Sequence, residues 1–596
     1  MNFPQLQRIN TKSRKYLIVL LVLLFVIVSI FGSRFHYSIR NSGLYLLPVI
    51  RTLDPDIFKN DSAVDSLGKF SSLFYEVLSF GVRTFGVSPD NLVSVLRVIY
   101  AISKALLMVL VFILAYQLKK DLWLFLLMAA WVSHVKLVPV GNILLFKPLL
   151  THETMAFLLG VTALIFLLRR NYSLFWLALG FSILFHSIMA FHLFLCVAPA
   201  AVLMDKFRFR FRFKKHLIGL ILLVIFSLVY LLLMAPPFLS SREATIFFIE
   251  KGACKHVSPF NQSFLGWVHM LGVIALAYLA NKFILKKKKS GNLIGLSLLC
   301  GTGFGLALSF AAVVTKVPLF ALIQPMRIFL WVTFLAYLLI ALAAVQTLRQ
   351  NSQVGVILSA IIVLSVLNSL WSLMFVFAAI AYLIIEKYWA LLSRHISFSF
   401  PAFVFIGITL AVCVMIFSWI FQLGHPHSPS HLPAGLLIFL MSLTLMSKKN
   451  YCGLLVFILV GYSVIGTSFF RHDYFASRMN LDWDKTRLWC RDNTDESDKF
   501  ITPPDGNNFR IISLRSTVSE EMLALLWVDP FEYVKNQKRV SLVEQSRLKM
   551  KWNLKNLFSL AQKWGATYVV TEGAFEPIQT SPAFSSGDFC VFRVPD

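Results

Sequence analysis

Four aspartates, Asp54, Asp56, Asp61 and Asp65, fall within the stretch LDPDIFKNDSAVDS, Leu53 to Ser66. Grouped carboxylates can accept a proton from a reacting hydroxyl or ligate a cation. They can equally serve a solvated loop, with a turn at Asp54-Pro55 and a helix N-cap at Asp61, since aspartate is favoured at both positions. Four further residues stand out against apolar surroundings: Glu153 in THETM, His186 and His192 in GFSILFHSIMAFH, and Arg327 in LIQPMRIFLW. An arginine at the start of an apolar run is costly unless it is paired, lines a wet cavity or snorkels to the interface. The bland role for Glu153 is a carboxylate favoured by a helix N-terminus. For the two histidines it is packing.

Other motifs carry less. SLGK, SHVK and SRLK all fit SxxK, without the companion motifs of a penicillin-binding fold. GTGFG at 301–305 lies inside an apolar run with no preceding strand, so it reads as a helix-packing surface of small residues rather than a phosphate loop. The cysteines show no CxxC pair and no metal-ligand spacing. Cys490 and Cys590 share one soluble segment, so either a disulfide or two free thiols is open.

The elements that hold these residues are set by composition. The chain has 596 residues, 58% hydrophobic and 14% charged, with a formal net charge of +27. That is more apolar than a soluble core of this length requires, and it indicates an α-helical polytopic membrane protein. Arg8, Lys12, Arg14 and Lys15 precede an apolar run from Tyr16 to Phe31, and the following GSRFHYS has no small-x-small cleavage site, so the run is predicted to be an uncleaved first span. A window of about 20 residues gives about fifteen transmembrane helices within 1–470. Those bearing on the candidate residues lie at 92–118, 151–168, 172–186, 188–204 and 320–345. Later ones lie at 354–368, 370–386, 398–422, 432–446 and 451–470.

Basic residues mark one side of this arrangement. Lys119-Lys120, Arg169-Arg170, KFRFRFRFKK and Lys286 to Lys289 all fall on the side of the basic N-terminus, which the positive-inside rule assigns to the cytoplasm. FRFRFRF at 207–213 reads as an interfacial anchor on anionic headgroups. The first loop, 32–91, and the tail, 471–596, are then external. The basic excess is a topology signal, spread over many membrane-flanking loops, and nucleic acid is excluded as a partner.

The tail reads as a small α/β soluble domain. LDWDKTRLWCRDN has helical spacing with Trp483, Leu488 and Trp489 on related faces, and LKNLFSLAQKWG is an amphipathic helix ending at Gly565. KFITPP, FRIISLRSTVS, ATYVVT and DFCVFRV read as strands.

A first span from the cytoplasm, a long acidic external loop, many spans and an external α/β tail together resemble the GT-C superfamily of membrane glycosyltransferases. The residues that carry the resemblance are LPVIRTLDPDIFKNDSAVDS, GFSILFHSIMAFH, LIQPMRIFLW, FITPPDGNNFRIISLRS and LAQKWGATYVVT. The resemblance implies inverting transfer of a sugar from a polyprenyl-phosphate-linked donor to an envelope glycan, lipid or protein acceptor, at the outer face of a bacterial inner membrane. On the family pattern Asp61, just before the helix-like SAVDSLGKFSSLFYEVL, is the first choice for the catalytic acid. Asp54 is the second, and Glu153 is a further acid in the next external loop. Arg327 becomes the donor-phosphate ligand, with His186 and His192 as donor contacts. The first loop lacks the adjacent Asp-Glu pair of the lipid A and O-mannosyl branches. No metal is therefore carried over, and any divalent cofactor is left unknown. Two other readings compete. One is a transporter, although its spans would contain few internal acids. The other is a non-catalytic scaffold of the same fold in envelope assembly.

Overall fold

The computed structural model describes residues 45–59, 61–68, 72–133, 138–140, 150–206, 213–234, 254–285, 289–317, 319–320, 323–348, 362, 376–384, 387, 481–504, 509–520, 522, 525–548, 551–576 and 580–595. The first loop contains three short helices, α1 (Leu47–Leu53), α2 (Ser62–Leu67) and α3 (Leu73–Thr84). The stretch that reads as one helix is thus two. Each has its own cap: the Asp61 carboxylate accepts from Ala63 and Val64 N–H, and the Ser72 hydroxyl accepts from Phe74 N–H. Helix α3 buries Phe74, Tyr75, Leu78 and Val82 on one face. Gly86, in the left-handed region at φ 60°, then turns the chain into α4 (Pro89–Leu118), whose first turn holds the proline.

The apolar helices that follow are α5 (Leu122–Ser133), α6 (His152–Leu168), α7 (Tyr172–Lys206), α8 (Phe213–Met234), α9 (Phe264–Leu279), α10 (Lys289–Thr315) and α11 (Phe329–Leu348). Among the described residues, five helical stretches are long and apolar enough to cross a membrane: Asn91–Leu118, Tyr172–Met204, Phe264–Ile284, Ser290–Thr315 and Pro325–Thr347. The expected first span and those at 398–422, 432–446 and 451–470 lie outside the described residues, as do most of 354–368 and part of 370–386.

Helix α7 is a hairpin. His186 leaves helical geometry at φ −157° and ψ 97°. The rings of Trp176 and Phe194 lie 6.0 Å apart, whereas an unbroken helix would separate them by about 27 Å at 1.5 Å per residue. The two spans expected at 172–186 and 188–204 therefore meet in a reversal at His186. Helix α11 is the central strut, its apolar window wholly buried. The GTGFG segment packs against it. A Cβ on Gly301 would press on Cys196 and Val332, and one on Gly305 would press on Ile328 and Phe329, while Gly303 has open space. The two glycines, four residues apart on one face of α10, allow close helix approach.

The tail builds a mixed five-stranded sheet from β1 (Lys499–Ile501), β2 (Ser516–Thr517), β5 (Tyr568–Glu572), β6 (Phe584–Ser586) and β7 (Phe589–Arg593). The strand order is β2-β1-β5-β7-β6. Strands β2, β1 and β5 are parallel, and β7 is antiparallel to both neighbours. A hairpin of β3 (Arg547–Leu548) and β4 (Lys551–Trp552) stands apart. Around these run α12 (Leu481–Asn493), α13 (Phe509–Ser513), α14 (Leu525–Val528), α15 (Pro530–Gln545) and α16 (Leu554–Trp564). Alternation puts Val569 on one face with Leu557 and Ala561, and Val570 on the other with Trp483 and Cys490.

Several local expectations hold. Helix α12 spans the predicted segment, and α16 ends at Gly565, left-handed at φ 66°. Others need correction. FRIISLRSTVS is a helix followed by a two-residue strand, because its backbone turns at Leu514, φ 54°. In α12 the buried face is Trp483, Thr486, Arg487 and Cys490, at spacings of three, four and seven, and Leu488 falls outside it. Cys490 and Cys590 are both free thiols.

Candidate functional site

Apolar register brings two of the candidate residues together. Phe157 of α6 stacks on Trp331 of α11, with centroids 4.9 Å apart and an interplanar angle of 19°. Trp331 fits because Gly160 offers no Cβ to its ring, and its indole N–H donates to Met189 O at 2.9 Å. Glu153 lies one turn before Phe157, and Arg327 lies one turn before Trp331. The next pair up in this register is therefore an ion pair, with Arg327 Nη1 donating to Glu153 Oε1 at 2.9 Å. Arg327 itself sits in a 3₁₀ turn, Pro325–Ile328, that leads into α11.

The α7 hairpin supplies the third member. His186 Nδ1 accepts from Met189 N–H at 3.3 Å, capping the second half of the hairpin. That bond fixes the ring so that Nε2 faces Glu153 Oε1, at 3.6 Å. The carbonyl of Phe185, at the reversal, accepts from the Ser72 hydroxyl at 2.8 Å. The cap of α3 thus also ties the first loop to this hairpin.

His152, beside Glu153, stacks on His186 with ring centroids 4.8 Å apart. Its Nδ1 lies 3.1 Å from the Tyr75 hydroxyl, delivered by the buried face of α3. Tyr45 stacks on Tyr75 and meets His152 edge-on. Burial pushes the hydroxyls of both tyrosines well above the ordinary phenol range, and Glu153 adds to this. Both therefore stay protonated, and a phenol can donate to or accept from Nδ1. His152 can accordingly present its other nitrogen as a donor or as a lone pair.

His152, Glu153 and His186 each offer one ligand atom, all within 4.8 Å of one another. Two imidazoles and a carboxylate suit a divalent cation in donor type, but His186 Nδ1 accepts from Met189 N–H, so its Nε2 carries the proton and offers no lone pair in this arrangement. His192 sits lower in the hairpin, where its Nε2 donates to Ile323 O at 2.9 Å.

The aspartates go elsewhere. Asp61 is buried, and its oxygens accept from Ala63 N–H at 3.1 Å, Val64 N–H at 3.3 Å, Arg510 Nε at 2.8 Å and Arg510 Nη2 at 3.3 Å. Arg510 also donates to Glu520 Oε2 at 2.8 Å and to Thr517 O. Burial works against the charge on Arg510, but Asp61 and Glu520 outweigh it and hold its pKa above the ordinary range. Around this triad Ser62 donates to Glu532 and Ser66 to Asp529. Beneath it Val64 and Leu67 join Met522, Leu525, Val528 and Tyr533 in one apolar cluster. Asp61 thus clamps the tail to the first loop, and none of these partners is Glu153, His186 or Arg327. Asp54 accepts from Asp56 N–H at 3.1 Å, as a turn residue does, while Asp56 pairs with Lys59 and Asp65 with Arg51.

The structure thus brings together Glu153, Arg327 and His186, and adds His152, Tyr75 and Tyr45. His152 was visible in THETM as the neighbour of Glu153. The two tyrosines carried no distinguishing signal, because their role depends on where α3 packs.

The chain matches no family model, and no curated protein sequence matches it. Among solved structures, ArnT of Cupriavidus metallidurans, bound to undecaprenyl phosphate, aligns over 98% of this chain and 98% of its own, at 13% identity and a TM-score of 0.41. The oligosaccharyltransferase of Archaeoglobus fulgidus, tethered to an acceptor peptide, aligns over 94% of this chain and 70% of its own, at 12% identity and a TM-score of 0.39.

Proposed function

We propose that this chain transfers a sugar from a polyprenyl-phosphate carrier to an acceptor hydroxyl, with inversion at the anomeric carbon. The observation that carries the reading is the meeting of Glu153, Arg327 and His186 from three separate helix ends. A carboxylate, a guanidinium and an imidazole at one mouth supply the groups this reaction needs. The basic loops favour a site on the outer face, with the N-terminus inside and the tail external, and the family resemblance implies a bacterial cytoplasmic membrane with a periplasmic tail.

In this reading the acceptor oxygen bonds to the anomeric carbon from one face, and Glu153 takes its proton. The bond from that carbon to the phosphate oxygen breaks on the other face, and its electron pair stays on the phosphate. Arg327 holds the departing phosphate while one of its N–H groups stays on Glu153, since a guanidinium carries five donors in a fixed fork. His186 orients Glu153 from the opposite side. The catalytic assignment moves from Asp61 and Asp54 to Glu153. Asp61 becomes the residue that positions the tail over the site, where the tail guides the acceptor.

The test is mass spectrometry of lipid extracted from the purified full-length protein, paired with deletion of the protein in cells. A polyprenyl phosphate in the extract, and a glycoconjugate that disappears on deletion and fails to return with Glu153→Gln, are expected. Copurification of a transported solute alone would favour the transporter. Full restoration by Glu153→Gln would remove Glu153 from the catalytic role, and full restoration by a variant lacking Glu153 and all four first-loop aspartates would favour the scaffold.

A further inference from the structure

The turn that carries Arg327 contains a second feature, which the reaction as described does not use. Gln324 begins that turn in the left-handed region, at φ 50° and ψ 59°, directly before Pro325. This conformation is unfavourable for a residue with a Cβ and is further disfavoured before proline. The turn is closed by Arg327 N–H donating to Gln324 O at 2.8 Å. The Gln324 side chain is buried, with 4% of the residue exposed, and its Oε1 has no hydrogen-bond partner among the described residues. The adjacent carbonyl, Ile323 O, is held by His192 Nε2. A carbonyl can only accept, so Nε2 carries the proton and Nδ1 of the neutral ring is an acceptor. That Nδ1 is also buried and without a partner among the described residues.

One buried acceptor therefore begins a strained turn, three residues from the cation assigned to the phosphate, and a second lies on the ring that holds the preceding carbonyl. Buried polar atoms are almost always satisfied in folded proteins, and strained backbone collects at ligand sites. Acceptors of this kind match neutral hydroxyl donors and would repel further anionic oxygen.

We propose that Gln324 Oε1, and His192 Nδ1 on the ring that holds the adjacent Ile323 carbonyl, accept hydrogen bonds from hydroxyls of the sugar attached to the carrier phosphate. Gln324 is then a specificity residue that distinguishes the glycosylated carrier from the bare one. This rests on the transferase reading above, in which Arg327 holds the phosphate. The strained backbone supplies the discriminating variant. Gln324→Gly removes the side chain while relieving the left-handed strain, so the turn and the Arg327 position should be kept. If Gln324 were only a turn residue, glycine would serve at least as well.

The experiment is native mass spectrometry of the detergent-solubilised full chain with undecaprenyl phosphate, and with undecaprenyl phosphates carrying glucose, mannose or galactose. Wild type should bind at least one glycosylated lipid more tightly than the bare carrier. Gln324→Gly should bind the bare carrier as wild type does and lose roughly 3- to 10-fold on the preferred glycosylated lipid, the scale of one neutral hydrogen bond. Gln324→Asn keeps an amide and tolerates the left-handed region, so it should fall between the two. Arg327→Ala should weaken both lipids alike. Binding of the bare carrier without preference for any sugar, or an unchanged preference in Gln324→Gly, overturns the assignment of Gln324 while leaving the transferase reading intact. Failure of wild type to bind any of the four lipids overturns the transferase reading and this inference with it.

Discussion

Two arginine–carboxylate constellations join helix ends and loops in this protein, and they differ in how deeply they are buried and in what stands beside the carboxylate. At the Asp61–Arg510 contact the side chains are 5% and 1% exposed, and four N–H groups saturate the Asp61 oxygens. At the Glu153–Arg327 contact the side chains are 12% and 15% exposed, and a histidine shares the same carboxylate oxygen. A carboxylate whose lone pairs are all engaged is a poor proton acceptor and a good clamp. One that is partly wet and beside an imidazole can exchange partners. Residue type and sequence context pointed to Asp61 and Glu153 alike, and depth of burial together with the imidazole beside Glu153 separates them.

The largest expected effect lies at the wetter pair. Glu153→Gln keeps size and removes the proton acceptor, so transfer should fall by roughly 10²- to 10⁴-fold with the thermal midpoint little changed. A midpoint that falls in step with transfer would make Glu153 a structural ion-pair member like Asp61. Next comes the sealed cluster. Arg510→Ala strands Asp61 and Glu520 without their cation, and breaking such a buried pair costs about 3–5 kcal/mol. Limited trypsin digestion should then release the tail from the first loop, and an unchanged digestion pattern would show that the apolar contacts alone suffice.

A smaller effect is expected at Tyr75→Phe, which removes the hydroxyl facing His152 Nδ1 and leaves the ring stacking in place. The loss should be about 1 kcal/mol, read as a several-fold drop in transfer with the tail still protected from trypsin. Smallest is Lys59→Ala. Its pair with Asp56 is exposed on both sides, and neither transfer nor tail digestion should change.

What the sequence made legible follows from which interactions are local. The α7 reversal was readable because the apolar stretch between Arg170 and Asp205 is basic at both ends, which puts both ends on one side and requires the chain to turn back. Helix α16 was readable from its amphipathic spacing and its terminal glycine. The turn at Asp54 and the cap at Asp61 are local hydrogen-bond geometry, and both appear as the bland reading has them. The clamp on Arg510 joins positions 449 residues apart, and no local pattern reports it. FRIISLRS did offer a hint, since an arginine among apolar residues needs a partner. Glu153 and Arg327 were each visible alone, but their pairing depends on the Phe157–Trp331 register, which only packing shows. The strain at Gln324 was hidden because glutamine seldom adopts a left-handed backbone.

The most direct test compares Asp61→Asn with Glu153→Gln in the same membranes at matched abundance, scoring both restoration of the missing glycoconjugate and trypsin release of the tail. Glu153→Gln should lose transfer by 10²-fold or more with the tail still docked. Asp61→Asn should loosen the tail, and its transfer should fall no further than the undocking explains. Full transfer by Glu153→Gln, together with abolished transfer by an Asp61→Asn protein whose tail stays docked, would contradict the account and return the catalytic role to Asp61.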